Sequence, residues 1–142
     1  MKNLSTEELT NFIKNNSTTG DILQHALDHA SEPELSFHKY INQKITEKGF
    51  SVSEVICSSN IQRNYGYQIL NGMKHPGRDK IISLCLAAKL SLDETQRALM
   101  IAGEGILYPQ KVRDSIIMFA CEKHKSMMET NELLYQSNQQ LL

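Results

Sequence analysis

The sequence is poor in residues that break or staple a fold. Its 142 residues include only three prolines, seven glycines and three cysteines. Strict alternation of apolar and polar residues is absent, whereas apolar residues recur at spacings of three and four, so an all-α chain is expected. No run approaches the roughly 18 apolar residues that a membrane-spanning helix needs. The opening stretch MKNLSTEELT is polar and acidic, where a secretory signal would be basic and then apolar. A cytoplasmic protein without membrane contact is the expectation. Strong charge is missing too: the net charge is −1, which as a bulk figure speaks against a nucleic-acid partner. With 40% hydrophobic and 22% charged residues, the composition is that of an ordinary globular chain of about one domain.

Metal, disulfide and enzyme chemistry find little to build on. Cys57, Cys85 and Cys121 are odd in number, widely spaced and set within apolar helical patterns, so reduced core thiols are expected. His25 and His29 stand at i and i+4, but two ligands do not close a metal site, and His38, His75 and His124 stand alone. Neither a metal nor a cofactor is expected. Gly103-Glu104-Gly105 lacks the rest of a phosphate-binding loop, no nucleophile–base signature occurs, and Asp114 beside Arg113 reads as structural. The chain is therefore not expected to be an enzyme.

What is present is a repeated start signal. Ser-x-x-Glu, in which the serine caps a backbone N–H and the glutamate reaches back, occurs at Ser5–Glu8, Ser51–Glu54, Ser91–Glu94 and Ser126–Glu129. Gly49, Gly72 and Gly103 each follow a periodic stretch and supply stops. Together these predict nine helices near 5–15, 20–30, 37–48, 52–59, 62–71, 79–90, 92–102, 110–124 and 127–137, arranged as a compact bundle. The segment Ile81–Leu86, apolar on most sides, marks a central helix.

Charge is distributed unevenly. Residues 1–36 sum to −4, residues 37–90 to +5 and residues 91–142 to −2. Local field rather than total charge attracts a polyanion, so the near-neutral whole hides a basic middle. Within that middle, the two shortest predicted helices, 52–59 and 62–71, are separated only by Asn60 and Ile61. Helices of two turns need each other and their neighbours, which points to a helix-turn-helix. Asn60 suits a turn position with positive φ, and Ile61 and Ile69 can anchor the pair.

At these residues the chain resembles a known family. The run from Phe37 to Leu99 is similar to the five-helix DNA-binding domain of lambda-repressor-like, or XRE-type, bacterial and phage regulators. The resemblance rests on Gly49, Glu54-Val55, Asn60-Ile61, Arg63-Asn64, Ile69, Asn71-Gly72, Pro76 and Lys89-Leu90-Ser91-Leu92, and spans about 63 of 142 residues. LYPQKVRDSIIMFA and NELLY further on resemble an extension found in a subgroup of small proteins of this type. The sequence departs from the family at two facing positions: Ile56 stands where a small Ala is usual, and Gly66 where a branched apolar residue is usual. A swapped large–small pair, with Gly66 making room for Ile56, is expected.

The resemblance implies three parts: an N-terminal helical appendage 1–36, a helix-turn-helix domain 37–103, and a C-terminal helical pair 104–142 packed on it. It implies a sequence-specific transcriptional regulator binding double-stranded DNA as a homodimer. Helix 62–71 would lie in the major groove with Gln62, Arg63, Asn64, Tyr67 and Gln68 on base edges, while one of Tyr65 and Tyr67 joins the core. Ser51, Ser53, Asn71, Lys74, His75, Arg78 and Lys80 would hold phosphates. The C-terminal pair, with Val112, Ile116, Ile117, Phe119 and Ala120 and then Met127, Met128, Leu133, Leu134 and Tyr135, either completes the core or forms a dimer or protein-partner surface. The alternative function is a protein–protein adaptor or antitoxin-like partner on the same scaffold without specific DNA binding.

Overall fold

A computed structural model describes residues 35–142. The helices expected at 5–15 and 20–30, the Ser5–Glu8 signal and the His25–His29 pair lie outside the described residues. Seven helices and no strand occur among those described: α1 (Phe37–Glu47), α2 (Val52–Ser58), α3 (Arg63–Leu70), α4 (Arg78–Ala87), α5 (Leu92–Ile101), α6 (Val112–Glu122) and α7 (Met127–Gln136). Each end falls within three residues of its sequence expectation. None of these helices is long and apolar enough to cross a membrane.

The starts are local chemistry. Ser51, Ser91 and Ser126 each accept a hydrogen bond from the backbone N–H three residues on, and Glu54, Glu94 and Glu129 return one, closing three capping boxes. A cap of this kind is worth about 1 kcal/mol. The stops also share one geometry. After α1, α3 and α5, Gly49, Gly72 and Gly103 take positive φ; after α4, α6 and α7, Lys89, His124 and Asn138 do the same without being glycine. At all six ends the following N–H bonds the carbonyl five residues back, as in Phe50 to Ile45, Leu90 to Cys85 and Lys125 to Ala120.

Residues Leu35–Leu142 form one compact unit around one core. Helix α4 sits at its centre, with every residue from Ile81 to Ala87 buried, and packs on α2, α5 and α7. Leu107, Ile117, Ala120, Cys121, Met127 and Leu134 belong to the same cluster as Ile41, Val55 and Ile69, so α6 and α7 share the core. Cys85 and Cys121 are buried, and burial pushes both thiols above the ordinary range.

Cys57 corrects the expectation of three core thiols, because it is exposed. In the seven-residue α2, the adjacent Val55 and Ile56 take the inward positions. At about 100° per residue, the next side chain turns out of the core.

Candidate nucleic-acid interface

Helices α2 and α3 pack on each other and are joined by Ser59–Gln62. Asn60 takes φ +63°, and Ile61 behind it and Ile69 on α3 are buried. The swapped pair is present: a β-carbon built on Gly66 would lie 2.9 Å from Ile56 Cγ2 and 3.2 Å from Cγ1. Ile56 therefore fills the space that a side chain on α3 would need.

One determinant of this turn escaped the sequence reading. Ser59 is 1% exposed, its hydroxyl donates to the Ile56 carbonyl at 2.7 Å, and its Oγ accepts from the Ile61 N–H at 3.2 Å. Those two backbone groups stand in the relation that bonds directly at the other six helix ends. Here a hydroxyl is inserted between them, and it opens the turn by one atom. Serine is common in turns for many reasons, so its residue type alone does not single it out.

Two residues of α1 hold the far end of α3. Asn42 Nδ2 donates to the Leu70 carbonyl at 2.8 Å, and the His38 ring lies where a β-carbon on Gly72 would come within 2.8 Å. Gly72 is thus favoured twice, by its positive φ and by the room it leaves for the His38 ring.

The surface of α3 divides cleanly. Gly66, Ile69 and Leu70 are buried, and Tyr65 packs against the core. Arg63, Asn64 and Tyr67 are exposed, and Gln68 is half-buried. Between the two tyrosines, Tyr65 joins the core side and Tyr67 faces out. The Arg63 guanidinium lies 5.8 Å from the Tyr67 ring centroid, a cation–π distance that steadies a long side chain without consuming its donors. Gln62 is the N-cap of α3, its Oε1 accepting from the Tyr65 N–H at 2.8 Å. Beside this face, Ser53, Ile56, Cys57, Asn60 and Ile61 join Gln62, Arg63 and Tyr67 around a groove of about 520 Å³.

The residues expected on phosphates separate into two groups. Ser51, Ser53, Asn71, Lys74, His75 and Lys80 are exposed, with Ser51 Oγ serving as the α2 cap and Asn71 Oδ1 accepting from the Met73 N–H at 3.0 Å. Arg78 is a correction, since its guanidinium is spent internally. It grips Asp114 with both Nη atoms at 3.1 and 2.9 Å, while Nε donates to the Gly105 carbonyl and Nη2 to that of Ile106.

Asp114 is indeed structural, though its partner is Arg78, 36 residues away, rather than the adjacent Arg113. Burial pushes its carboxyl up, but the Arg78 guanidinium and the Tyr108 N–H outweigh that and hold it below the ordinary carboxylate range. Arg113 instead grips Asp79, both bonds at 3.0 Å.

Ion pairs also redistribute the basic middle. Lys44 and Lys48 both bind Glu94, at 3.2 and 2.8 Å. Burial pushes the Glu94 carboxyl up, yet hydrogen bonds from Lys48, the Ser91 N–H and Lys44 pull it down to about 2. Of the eight cations of the basic middle, Lys39, Arg63, Lys74, Lys80 and Lys89 have no ion pair among the described residues. Three of these five lie on α3, on the loop that follows it or in the first turn of α4.

The C-terminal helices divide in the same way. Met127 and Leu134 are buried, whereas Val112, Phe119, Met128 and Tyr135 are exposed. Met128 and Tyr135, with Leu141 and Cys57, line a second groove of about 720 Å³ between α2 and α7. No family model, no curated protein and no solved structure matches this chain.

Proposed function

We propose that this chain is a sequence-specific regulator of the XRE type that binds double-stranded DNA, with α3 in the major groove. The observation that carries the reading is the outward face of α3. Arg63, Asn64 and Tyr67 stand exposed on a short helix braced from behind by Ile56, Ile61 and Ile69, with Lys74 in the loop that follows and Lys80 in the first turn of α4, both unpaired among the described residues. Arg reads guanine and Asn or Gln reads adenine through paired hydrogen bonds, each worth about 1–3 kcal/mol of discrimination. Ser53, Lys74, His75 and Lys80 set the register on phosphates, and Arg78 is left out of that set. A symmetric dimer supplies the second half-site.

Selection of bound duplexes from a random pool tests the reading. An enriched, dyad-symmetric site is expected, with Arg63→Ala and Gln68→Ala relaxing the preference at particular bases. Lys74→Ala and Lys80→Ala weaken all sequences alike, each lowering the salt slope by about 1. If a dimer places Lys74 and Lys80 of each protomer on phosphates, log affinity falls against log salt with a slope on the order of −4. No enrichment, or binding insensitive to salt, rejects the reading.

The groove between α2 and α7 favours a second reading, an adaptor or antitoxin-like chain that binds a protein there. Methionine- and tyrosine-lined surfaces suit adaptable protein contacts. Met128→Asp would abolish such binding while leaving DNA selection intact.

A further inference from the structure

Two consecutive residues in the first turn of α4, Arg78-Asp79, face two consecutive residues in the first turn of α6, Arg113-Asp114. They pair crosswise, Arg78 with Asp114 at 2.9 Å and Arg113 with Asp79 at 3.0 Å, and each guanidinium uses two nitrogens on its carboxylate. Neither α4 nor α6 has a side chain capping its N-terminus, unlike α2, α3, α5 and α7. Instead each start carries a carboxylate of this quartet, the charge that the exposed N–H groups there favour. The remaining donors tie in two further segments: Arg78 binds the carbonyls of Gly105 and Ile106, and Arg113 those of Gln140 and Leu141.

The loop between α3 and α4 is held unequally. Its front is fastened to α3, because the N–H groups of Met73 and Lys74 both reach the Gln68 carbonyl and Asn71 caps Met73. Among the described residues, His75 and Pro76 take part in no hydrogen bond, and the rear is held by burial of Pro76 and by the Gly77 carbonyl, which accepts from the Ile81 N–H at 3.1 Å. Where the rear of the loop sits is therefore decided by where α4 begins, and the quartet fixes that start against α6.

We propose that Arg78, Asp79, Arg113 and Asp114 form a latch that positions the rear of this loop, and with it His75 and Lys80, for contact with the DNA backbone. The proposal rests on the DNA reading for its ligand and on the crosswise pairing for its mechanism. The four residues touch no phosphate themselves. They act as positioning residues, and the C-terminal helices thereby enter DNA binding without approaching the DNA.

The test uses the full chain and two readouts: loop exchange in the free protein, read as backbone hydrogen exchange of the Ile81 N–H that bonds the Gly77 carbonyl at the rear of the loop, and affinity for the selected duplex across a salt series. Asp79→Asn and Arg113→Gln should accelerate exchange in the loop several-fold. They should also weaken binding by about 2- to 30-fold and lower the salt slope by about 1. The exchanged pair Asp79→Arg with Arg113→Asp should return both readouts towards the parent values. Arg113→Lys, which keeps the charge but loses the fork, should give a smaller change in the same direction and remains readable if a neutral variant unfolds.

A lowered unfolding midpoint with unchanged loop exchange and unchanged salt slope would show a merely structural bridge and overturn the proposal. If the parent chain selects no DNA, the DNA reading fails. Unaltered loop exchange in the variants overturns the latch independently of that result.

Discussion

Gly66 lacks a side chain because Ile56 occupies its place: the missing β-carbon would sit 2.9 Å from Ile56 Cγ2. In an unconstrained helix, replacing glycine by alanine gains about 1 kcal/mol. At this crossing the gain is outweighed, because an added carbon in a packed core costs about 1–3 kcal/mol. Gly66→Ala should therefore lower stability in urea unfolding. In an Ile56→Ala background the same substitution should raise it, and the change of sign gives the coupling directly. Equal effects in both backgrounds would remove the pairing.

Ser59 invites a similarly sharp substitution. Ser59→Ala leaves the Ile61 N–H and the Ile56 carbonyl, both at buried residues, without the hydroxyl between them. Unfolding measurements should record a loss of about 1–3 kcal/mol. Ser59→Thr, which keeps the hydroxyl, should lose less. If the alanine variant matches the parent, the backbone groups close on each other directly and the hydroxyl is dispensable.

Thiol chemistry should distinguish the three cysteines. Cys57 is exposed, whereas Cys85 and Cys121 are buried and their thiols resist ionisation. Only the thiolate reacts. An aromatic disulfide reagent should modify Cys57 rapidly in the native chain and reach the other two only on unfolding. The Cys57→Ser variant should then show no fast phase, and a persisting one would contradict the burial of its counterparts.

Acid should destabilise this protein in a defined window. The Glu94 carboxyl is held at about 2 in the folded chain, against an ordinary value of about 4.3 when unfolded. The unfolded state therefore takes up the proton first as pH falls. Stability from the Lys44–Glu94–Lys48 cluster is fully present above the unfolded value and is lost between about pH 4.5 and pH 2. Asp114, also lowered, adds a contribution of the same sign. Urea midpoints should fall through this range, and Glu94→Gln should flatten the decline without abolishing it. An unchanged pH profile in that variant would show that the cluster does not govern acid stability.

Much of the fold was legible because its signals are local. A capping box needs only a serine and a glutamate three residues apart, and all three within the described residues formed. The stops after α1, α3 and α5 were visible as glycines, whereas Lys89 and His124 carry no such mark and Asn138 only the weaker one that its residue type shares with Asn60. Each adopts the left-handed conformation at a cost of about 1–2 kcal/mol. Helix ends set by packing are not written in residue type. The outward face of α3 was legible in outline, since the inward set Gly66, Ile69 and Leu70 fixes the outward one by helical period.

By itself, the sequence determined the seven helices of the described residues, their order, the Asn60 turn and the volume exchange between positions 56 and 66, because hydrogen bonding and packing there involve neighbours along the chain or a closely following helix. Tertiary structure alone decided which cations are free. Arg78 reads as a surface base beside Lys74 and Lys80, yet Asp114, 36 residues later, takes its guanidinium inward. Glu94 draws Lys44 and Lys48 from a helix that ends 45 residues before α5 begins. Coulombic pairing depends on distance in space and on desolvation, and neither is a function of distance along the chain. The +5 of the middle segment therefore resolves into five cations without an ion pair among the described residues, three of them on α3, in the loop after it or in the first turn of α4.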